Sequence, residues 1–278
     1  MKVVLLHDEH DAWPGAGRLP EDHGAEYDDD ETIQALLGAI RAAGHEAEDL
    51  VFDPRFIERI EAAVPDMVFN IAEGATGCGR ESIVPACLEH MGVSYTGSGP
   101  LALAMSLDKP TAHMVANAQG IPTPQWQCVE SVEELETLPF DGPLFAKPRA
   151  EGSSMGIRRD SVAGEPDELR ERVKWIIDNY PRGCMVEEYM PGREFCVGML
   201  GNGPMEVLPV VEVRTEVGFY PLEDKSEHRK ELVCPAEVDE ELGEEIRRIG
   251  RRAYQAFECR DFARVDLKLD AAGELSGE

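Results

Sequence analysis

The chain's 278 residues suffice for two compact domains or one large one, and a mix of 42% hydrophobic and 29% charged residues reads as globular rather than disordered. With 55 acidic against 27 basic residues, the formal charge of -28 argues against a nucleic-acid partner but leaves room for a small phosphate ligand in a locally positive cleft. No apolar run approaches the roughly eighteen residues of a membrane helix, and MKVVLLHDEHDAW lacks the basic front and long apolar core of a signal peptide, so neither is predicted.

Lys2–Leu6 (KVVLL) reads as a buried first strand, followed by a long acidic loop over His7–Glu31. Thr32–Ala43 places Ile33, Leu36, Leu37 and Ile40 on one helical face, and Gly44 closes it. A second strand is predicted over Ala47–Phe52, a short helix from Pro54 to Ala63, and a third strand over Met67–Ile71 that runs into AEGATGCGRE. Ser82–Met91 reads as helix and Val93–Tyr95 as a short strand. This alternation implies a mainly parallel sheet covered by helices, with ligands beyond the carboxyl ends of its strands.

The pattern changes near Gly97–Lys109, and the main domain boundary is placed near Leu107. Beyond it come a helix over Thr111–Gln119, an IPTP linker, strands over Trp126–Val129 and Leu144–Lys147, and a loop over Pro148–Gly156. A helix over Glu168–Asn179 follows, then strands at Cys184–Glu188 and Phe195–Leu200 flanking a Pro-Gly turn, and one strand over Met205–Val213. Glu237–Phe257 reads as a long helix, Phe262–Leu269 as an alternating strand, and Glu274–Glu278 as the start of a returning strand. The seven cysteines (Cys78, Cys87, Cys128, Cys184, Cys196, Cys234 and Cys259) are scattered and show no CxxC, which predicts reduced, mostly buried thiols in a cytoplasmic protein.

Three segments carry chemistry. In LFAKPRAEGSSMGI (144–157) a strand ends in Lys147 and passes into Gly152, Ser153, Ser154 and Gly156. Glycines let backbone approach a ligand, and successive N–H groups and hydroxyls wrap phosphate oxygens; the alternative is a solvent loop after an edge strand. In MVEEYMPGREF (185–195) Glu187 and Glu194 flank a turn, either accepting from ligand hydroxyl or amino groups or facing solvent. In RVDLKLD (264–270) Arg264, Asp266 and Lys268 share one strand face, which suits a Mg2+ ligand beside an anion clamp or, alternatively, a surface ion pair.

Together these segments resemble the D-alanine–D-alanine ligase branch of the ATP-grasp superfamily. YTGSGPLALAMSLDKPTAH (95–113) is similar to that family's junction between N-terminal and central domains, KPRAEGSSMG (147–156) to its serine-rich phosphate loop, and VEEYMPGRE (186–194) to its adenosine-binding hinge. Lys225, CPA (234–236) and RVDLKLD follow in the family's order, and the resemblance covers 66–278. It implies an α/β ATP-grasp architecture: an N-terminal parallel-sheet substrate domain over 1–106, then an ATP-grasp domain over 107–278 with central and C-terminal α+β subdomains. It also implies ATP and Mg2+, with Mn2+ as the alternative metal, small amino-acid substrates, a homodimer, and a cytoplasmic role in peptidoglycan biosynthesis. Lys109 and Lys147 would contact ATP phosphates, and Lys225 would reach the terminal ones from a mobile loop. Glu187 would receive the adenine amino group, the backbone of Glu188, Tyr189 and Met190 would line the adenine edge, and Glu194 would hold the ribose hydroxyls. Ser153 and Ser154 would lie in the lid over phosphate and substrate, Arg264 would stabilise the oxyanion of the tetrahedral intermediate, and Asp266 would bind Mg2+.

The sequence departs from the family at three places. The early glycine- and serine-rich turn with its substrate-facing glutamate is replaced by HDEHDAWPGAGRLPEDHGAEYDDD, where Glu9, Glu21 and Glu26 are candidate substitutes and His7 and His10 either bind substrate or belong to a polar surface loop. The HG-type turn after the third strand is replaced by FNIAEGATGCGRES, in which Glu73 and Arg80 are placed to read a ligand. Lys225 is followed by Ser226, where dipeptide-forming members carry tyrosine or another bulky residue. Ligation of other amino acids therefore stays an alternative, as does nucleotide binding without ligation. Finally, by the family's spacing the chain stops just before a metal-ligating glutamate, with Glu278 taking that role only after a shorter turn and no asparagine following. A truncated chain, with an ATP-grasp domain incomplete at its C-terminus, is the expectation.

Overall fold

A computed structural model describes residues 1–10, 12–13, 20–225 and 230–277, with backbone alone at 224 and 225. Proximity of Cα atoms divides the chain into two units, Met1–Ala104 and Met105–Glu278.

In the first unit, strand β1 (Lys2–His7) buries Val3, Val4, Leu5 and Leu6 in succession, so both of its faces need cover. Strands β2 (Glu46–Val51) and β3 (Met67–Asn70) pair with it in parallel on either side. Helix α1 (Asp30–Ala42) starts where the Asp29 carboxylate accepts from Thr32 N at 2.8 Å, and it packs Ile33 and Leu37 against Leu5. Helices α2 (Phe56–Ala63) and α3 (Ile83–Met91) bring Phe56, Ile60, Val84 and Leu88 to Val4 and Leu6 on the opposite face. The strand expected over Val93–Tyr95 reduces to a single parallel bridge, Val68↔Tyr95. Its ladder stops because the Thr96 hydroxyl, rather than a backbone carbonyl, accepts from Asn70 N at 3.1 Å.

Helix α4 (Pro100–Leu107) has no counterpart in the sequence reading, because PLALAMSL has no polar stripe to set its period. The helix expected from Thr111 begins earlier, as α5 (Lys109–Ala118). Asp108 caps it by accepting from Thr111 N at 3.2 Å and from the Thr111 hydroxyl at 2.7 Å.

The second unit contains two antiparallel sheets among the described residues. Strands β4 (Trp126–Val129), β5 (Leu144–Pro148), β6 (Val162–Ala163) and β7 (Cys184–Glu188) form one, in the order β4-β7-β5-β6. Helix α6 (Pro166–Asn179) covers it with Leu169, Val173 and Ile176 against Ala146 and Val186. The other sheet runs β11-β10-β8-β12-β13, with β9 pairing β8; its strands are β8 (Glu194–Leu200), β9 (Glu206–Val207), β10 (Val211–Thr215), β11 (Lys230–Val233), β12 (Phe262–Leu269) and β13 (Leu275–Gly277). A short helix, α7 (Leu222–Lys225), precedes β11. Helix α8 (Glu240–Ala256) lays Ile246, Ile249 and Ala253 on Phe195, Val197, Met199 and Leu267. Gly250 permits this approach, since a Cβ there would sit 2.7 Å from Val197 Cγ1.

The single strand expected over Met205–Val213 is broken into β9 and β10, because Pro209 has no N–H to give a ladder. The charged run KELV, not read as a strand, forms β11 at a sheet edge, where Lys230 and Leu232 also line the cavity described below. The cysteines are not mostly buried: only Cys184 is buried, and Cys78 and Cys234 are exposed, because they lie in turns outside the strand cores. Among the described residues no helix is long and apolar enough to cross a membrane.

Candidate functional site

Alternation along β8 and β12 sends Phe195, Val197 and Leu267 toward α8, and so turns Glu194, Cys196, Arg264 and Asp266 to the other face. There they line a cavity of about 600 Å³ together with Lys147 from β5, Lys109 from α5, Ser153 and Ser154, and the apolar side chains Phe145, Val211, Val213 and Phe219. Phe145 and Phe219 meet edge to face at 5.3 Å. An apolar wall beside a few converging charges is the usual make-up of a small-molecule pocket.

Lys147 Nζ lies 2.6 Å from Glu187 Oε1, and both side chains are almost wholly buried. Lys109 Nζ donates to the Glu151 carbonyl, while Lys109 N donates to the Arg149 carbonyl at 3.2 Å. Beneath Lys109, Asp108 accepts from Arg149 at 2.9 and 3.3 Å and from Arg182 at 3.0 Å. Burial pushes the Asp108 carboxyl up, but the hydrogen bonds from Arg149 and Thr111 outweigh it and hold it below its ordinary range. His113, one turn along α5, is buried edge-on to Trp126 at 5.9 Å. Burial, then the charges of Lys147 and Lys109, push its imidazole down to about 3, so it is neutral.

The loop after β5 is wound tightly. Ser153, Ser154 and Gly156 have φ of +50°, +62° and +69°, the left-handed region that costs an L-residue roughly 1–2 kcal/mol. Met155 N donates to Gly152 O at 2.8 Å and Ile157 N to Ser154 O at 2.9 Å. Such a run gathers backbone N–H groups into a concave anion seat, and strain of this kind concentrates at functional sites. On the facing sheet, Arg264 donates to both Asp266 oxygens at 2.7 Å, which keeps the guanidinium firmly charged. The buried Lys268 donates to Gly218 O at 2.5 Å and lies 3.8 Å from Glu194.

Of the residues named from sequence, Lys109, Lys147, Ser153, Ser154, Glu194, Arg264 and Asp266 line this one cavity, and Glu187 joins it through Lys147. Glu188, Tyr189 and Met190 are not among its lining residues. The Glu188 and Tyr189 N–H groups donate to Gln125 O at 3.0 Å and Pro143 O at 2.9 Å. The side chain of Lys225, Ser226 and Glu278 lie outside the described residues. Sequence reasoning missed the Asp108–Arg149–Arg182 cluster, although Asp-Lys-Pro-Thr carries a cap signal, and it missed Phe145, Phe219 and Lys230, which carry none.

The two lysines, two serines and wound loop fit a polyphosphate: cationic, hydroxyl and N–H groups converge where anionic oxygens would need them. Among the described residues no group of three His, Cys, Asp or Glu side chains forms a metal cage. Asp266 and Glu194 do line the same cavity, and Mg2+ is commonly held by one or two carboxylates plus substrate phosphates, so the donor set fits the metal only together with a nucleotide.

A second polar cluster lies in the first unit. Asp8 accepts from Glu73 N at 2.5 Å and Gly74 N at 3.1 Å, and buried Arg80 pairs with Glu26 at 2.6 Å and donates to Glu73 O at 3.0 Å. His7, by contrast, is tied to Asp49 at 2.7 Å and to its neighbour's carbonyl, Asp8 O, at 2.9 Å. Burial, then the Glu81 and Glu26 charges, push the Glu73 carboxyl up to about 8. Folding thus retains a proton that the unfolded chain releases near 4.5, so Glu73 contributes fully below that pH and its contribution is lost as pH rises through about 8. Thermal melts of wild type and Glu73→Gln are expected to converge near pH 4.5 and to separate in favour of the variant toward pH 8; a gap independent of pH removes the assignment.

The family model for the D-ala D-ala ligase C-terminus matches residues 114–276. The uncharacterized protein y4sG of Sinorhizobium fredii is 36% identical over 256 residues, covering 86% of this chain and 74% of its own. The D-alanine–D-alanine ligase of Chelativorans sp. is 35% identical over 221 residues, covering 77% of this chain and 67% of its own. The crystal structure of Bacillus anthracis D-alanine–D-alanine ligase complexed with ATP superposes with a TM-score of 0.71 at 19% identity, over 100% of this chain and 84% of that one, and so shares the fold. On these matches the chain belongs to the D-alanine–D-alanine ligase family of the ATP-grasp superfamily, and it is by that membership an ATP-dependent carboxylate–amine ligase.

Proposed function

We propose that this ligase joins two small amino acids into a dipeptide-type amide, with D-alanine as the reference substrate and ADP and phosphate as by-products. The observation that carries the reading is the convergence of Lys109, Lys147, Ser153, Ser154, Glu194, Arg264 and Asp266 on one cavity of the second unit. In the first step a substrate carboxylate oxygen attacks the γ-phosphorus of ATP, the bond to the β–γ bridging oxygen breaks, and ADP leaves. In the second, an uncharged amine adds to the acyl carbon, the carbon–oxygen bond breaks to release phosphate, and the departing phosphate takes the proton that the nitrogen gives up.

Each step concentrates negative charge, and fixed positive groups in a dry pocket stabilise it far more than they would in water. Lys109 and Lys147 take the phosphate oxygens, helped by Ser153, Ser154 and the N–H groups of their loop. Glu187 and Glu194 hold the adenosine end. Asp266 would hold Mg2+ or Mn2+, which supplies charge neutralisation on the phosphates when bound. Arg264 faces the oxyanion of the second step. Loop closure excludes water, which protects an acyl phosphate from hydrolysis.

The test is phosphate release with MgATP against D- and L-amino acids, singly and in pairs. Release that needs an amino acid, and is fastest with D-alanine, is the expected result. A MgATP thermal shift without release for any pair turns the reading to a nucleotide-binding homologue. No shift at all removes the nucleotide from it.

A further inference from the structure

The most costly group near the serine loop is one that the proposed reaction does not use. Arg172, on α6, is 2% exposed. A buried guanidinium is expensive unless its donors are satisfied. Here Nη2 donates to the Gly156 carbonyl, Nη1 lies 3.4 Å from an exposed Asp160 carboxylate, and the guanidinium carbon sits 4.7 Å from the Trp175 ring. Nε and Nη1 have no hydrogen bond among the described residues. Among the described residues, the hydrogen bond that Arg172 makes is therefore with the last residue of the serine loop.

That residue is where the loop is seated. Gly156 has φ +69°, and a Cβ on it would come 2.4 Å from Pro148 Cγ, at the end of the strand that carries Lys147. Just past it, Ile157 O accepts from Leu222 N at 2.9 Å, which fastens the start of α7 to the same point. Arg158 adds a weaker link, 3.6 Å from Glu223. One buried cation thus holds a carbonyl whose neighbours on one side are Ser154 and Ser153 and on the other the segment leading to Lys225.

We propose that Arg172 is a positioning residue for the phosphate seat: by holding the Gly156 carbonyl from beneath, it fixes the left-handed turn of Ser153 and Ser154 over the cavity. The proposal rests on the reading of that loop as phosphate-binding. A charge-assisted bond to a buried carbonyl is short, directional and hard to replace.

The experiment compares full-length wild type, Arg172→Met, Arg172→Lys and a core control, Val173→Ala, by MgATP calorimetry and by hydrogen exchange. Val173 is fully buried beneath the same sheet, so its truncation destabilises α6 without touching the loop. Arg172→Met is expected to weaken MgATP binding at least tenfold and to speed amide exchange at 153–157. Arg172→Lys restores part of the affinity, and Val173→Ala lowers the melting temperature with unchanged affinity. If Arg172→Met does not fold, Arg172→Lys carries the comparison, with affinity between wild type and zero binding expected. Wild-type affinity in a folded Arg172 variant overturns the proposal, as does unfolding of both variants, which would make Arg172 a core residue only. Wild-type protein that binds no MgATP overturns the phosphate reading itself, whereas wild-type binding with an unaltered variant overturns Arg172 alone.

Discussion

Lys147→Met is expected to lower amino-acid-dependent phosphate release by about 10²–10³-fold, the usual cost of removing one preorganised charge from a transition state. It also strips Glu187 of a partner at 2.6 Å in a site almost closed to water. Breaking a buried pair on one side costs about 3–5 kcal/mol, which in a chain of this size lowers the melting temperature by roughly 10 °C. The two effects separate in the double variant Lys147→Met, Glu187→Gln. Removing both charges leaves no uncompensated carboxylate, so most of the stability returns while turnover stays low. Calorimetric melts and steady-state phosphate release on the three proteins decide it. Turnover at the wild-type rate in Lys147→Met would end the phosphate assignment.

Arg264→Ala is expected to behave in the opposite way, with a large kinetic loss and a small structural one. The Arg264 side chain is 69% exposed and its bidentate partner Asp266 is 36% exposed, so water takes over the hydrogen bonds and stability shifts by about 0.5 kcal/mol or less. The rate of amide formation should fall about 10²–10³-fold, because the oxyanion of the second step loses its facing cation. ATP affinity should change less than about threefold. Rapid-quench measurement of product, beside MgATP calorimetry, separates the two quantities. A parallel loss of ATP affinity would reassign Arg264 to nucleotide binding, and an unaltered rate would remove it from the site.

What the sequence disclosed follows the physics of each element. Trp126–Val129, Cys184–Glu188 and Phe262–Leu269 are strands with the bounds expected, the last from its alternation and Cys184–Glu188 from an apolar run that is buried on both faces. Helix α4 was hidden because its residues are apolar on every side, and β11 because its charges look like loop. The site's residue types came from resemblance to a family more than from spacing: Lys109, Lys147 and Asp266 stand far apart in the chain, and only the fold brings them to one cavity. Arg172 and Gly156 could not be paired from sequence at all, since nothing local marks a helical arginine that turns inward to a distant carbonyl. Asp108 could have been found, because an Asp before Lys-Pro-Thr is a helix start with a cap.

The backbone bond between Ile157 and Leu222 bears on how these segments tolerate change in length. One residue inserted between Ser154 and Ile157 would slide the accepting carbonyl by about 3.5 Å, more than a hydrogen bond can stretch. A deletion would do the same in reverse. Indels in the serine loop and in the stretch before Leu222 are therefore coupled, and a library that varies one length should recover function only where the other has been adjusted to match.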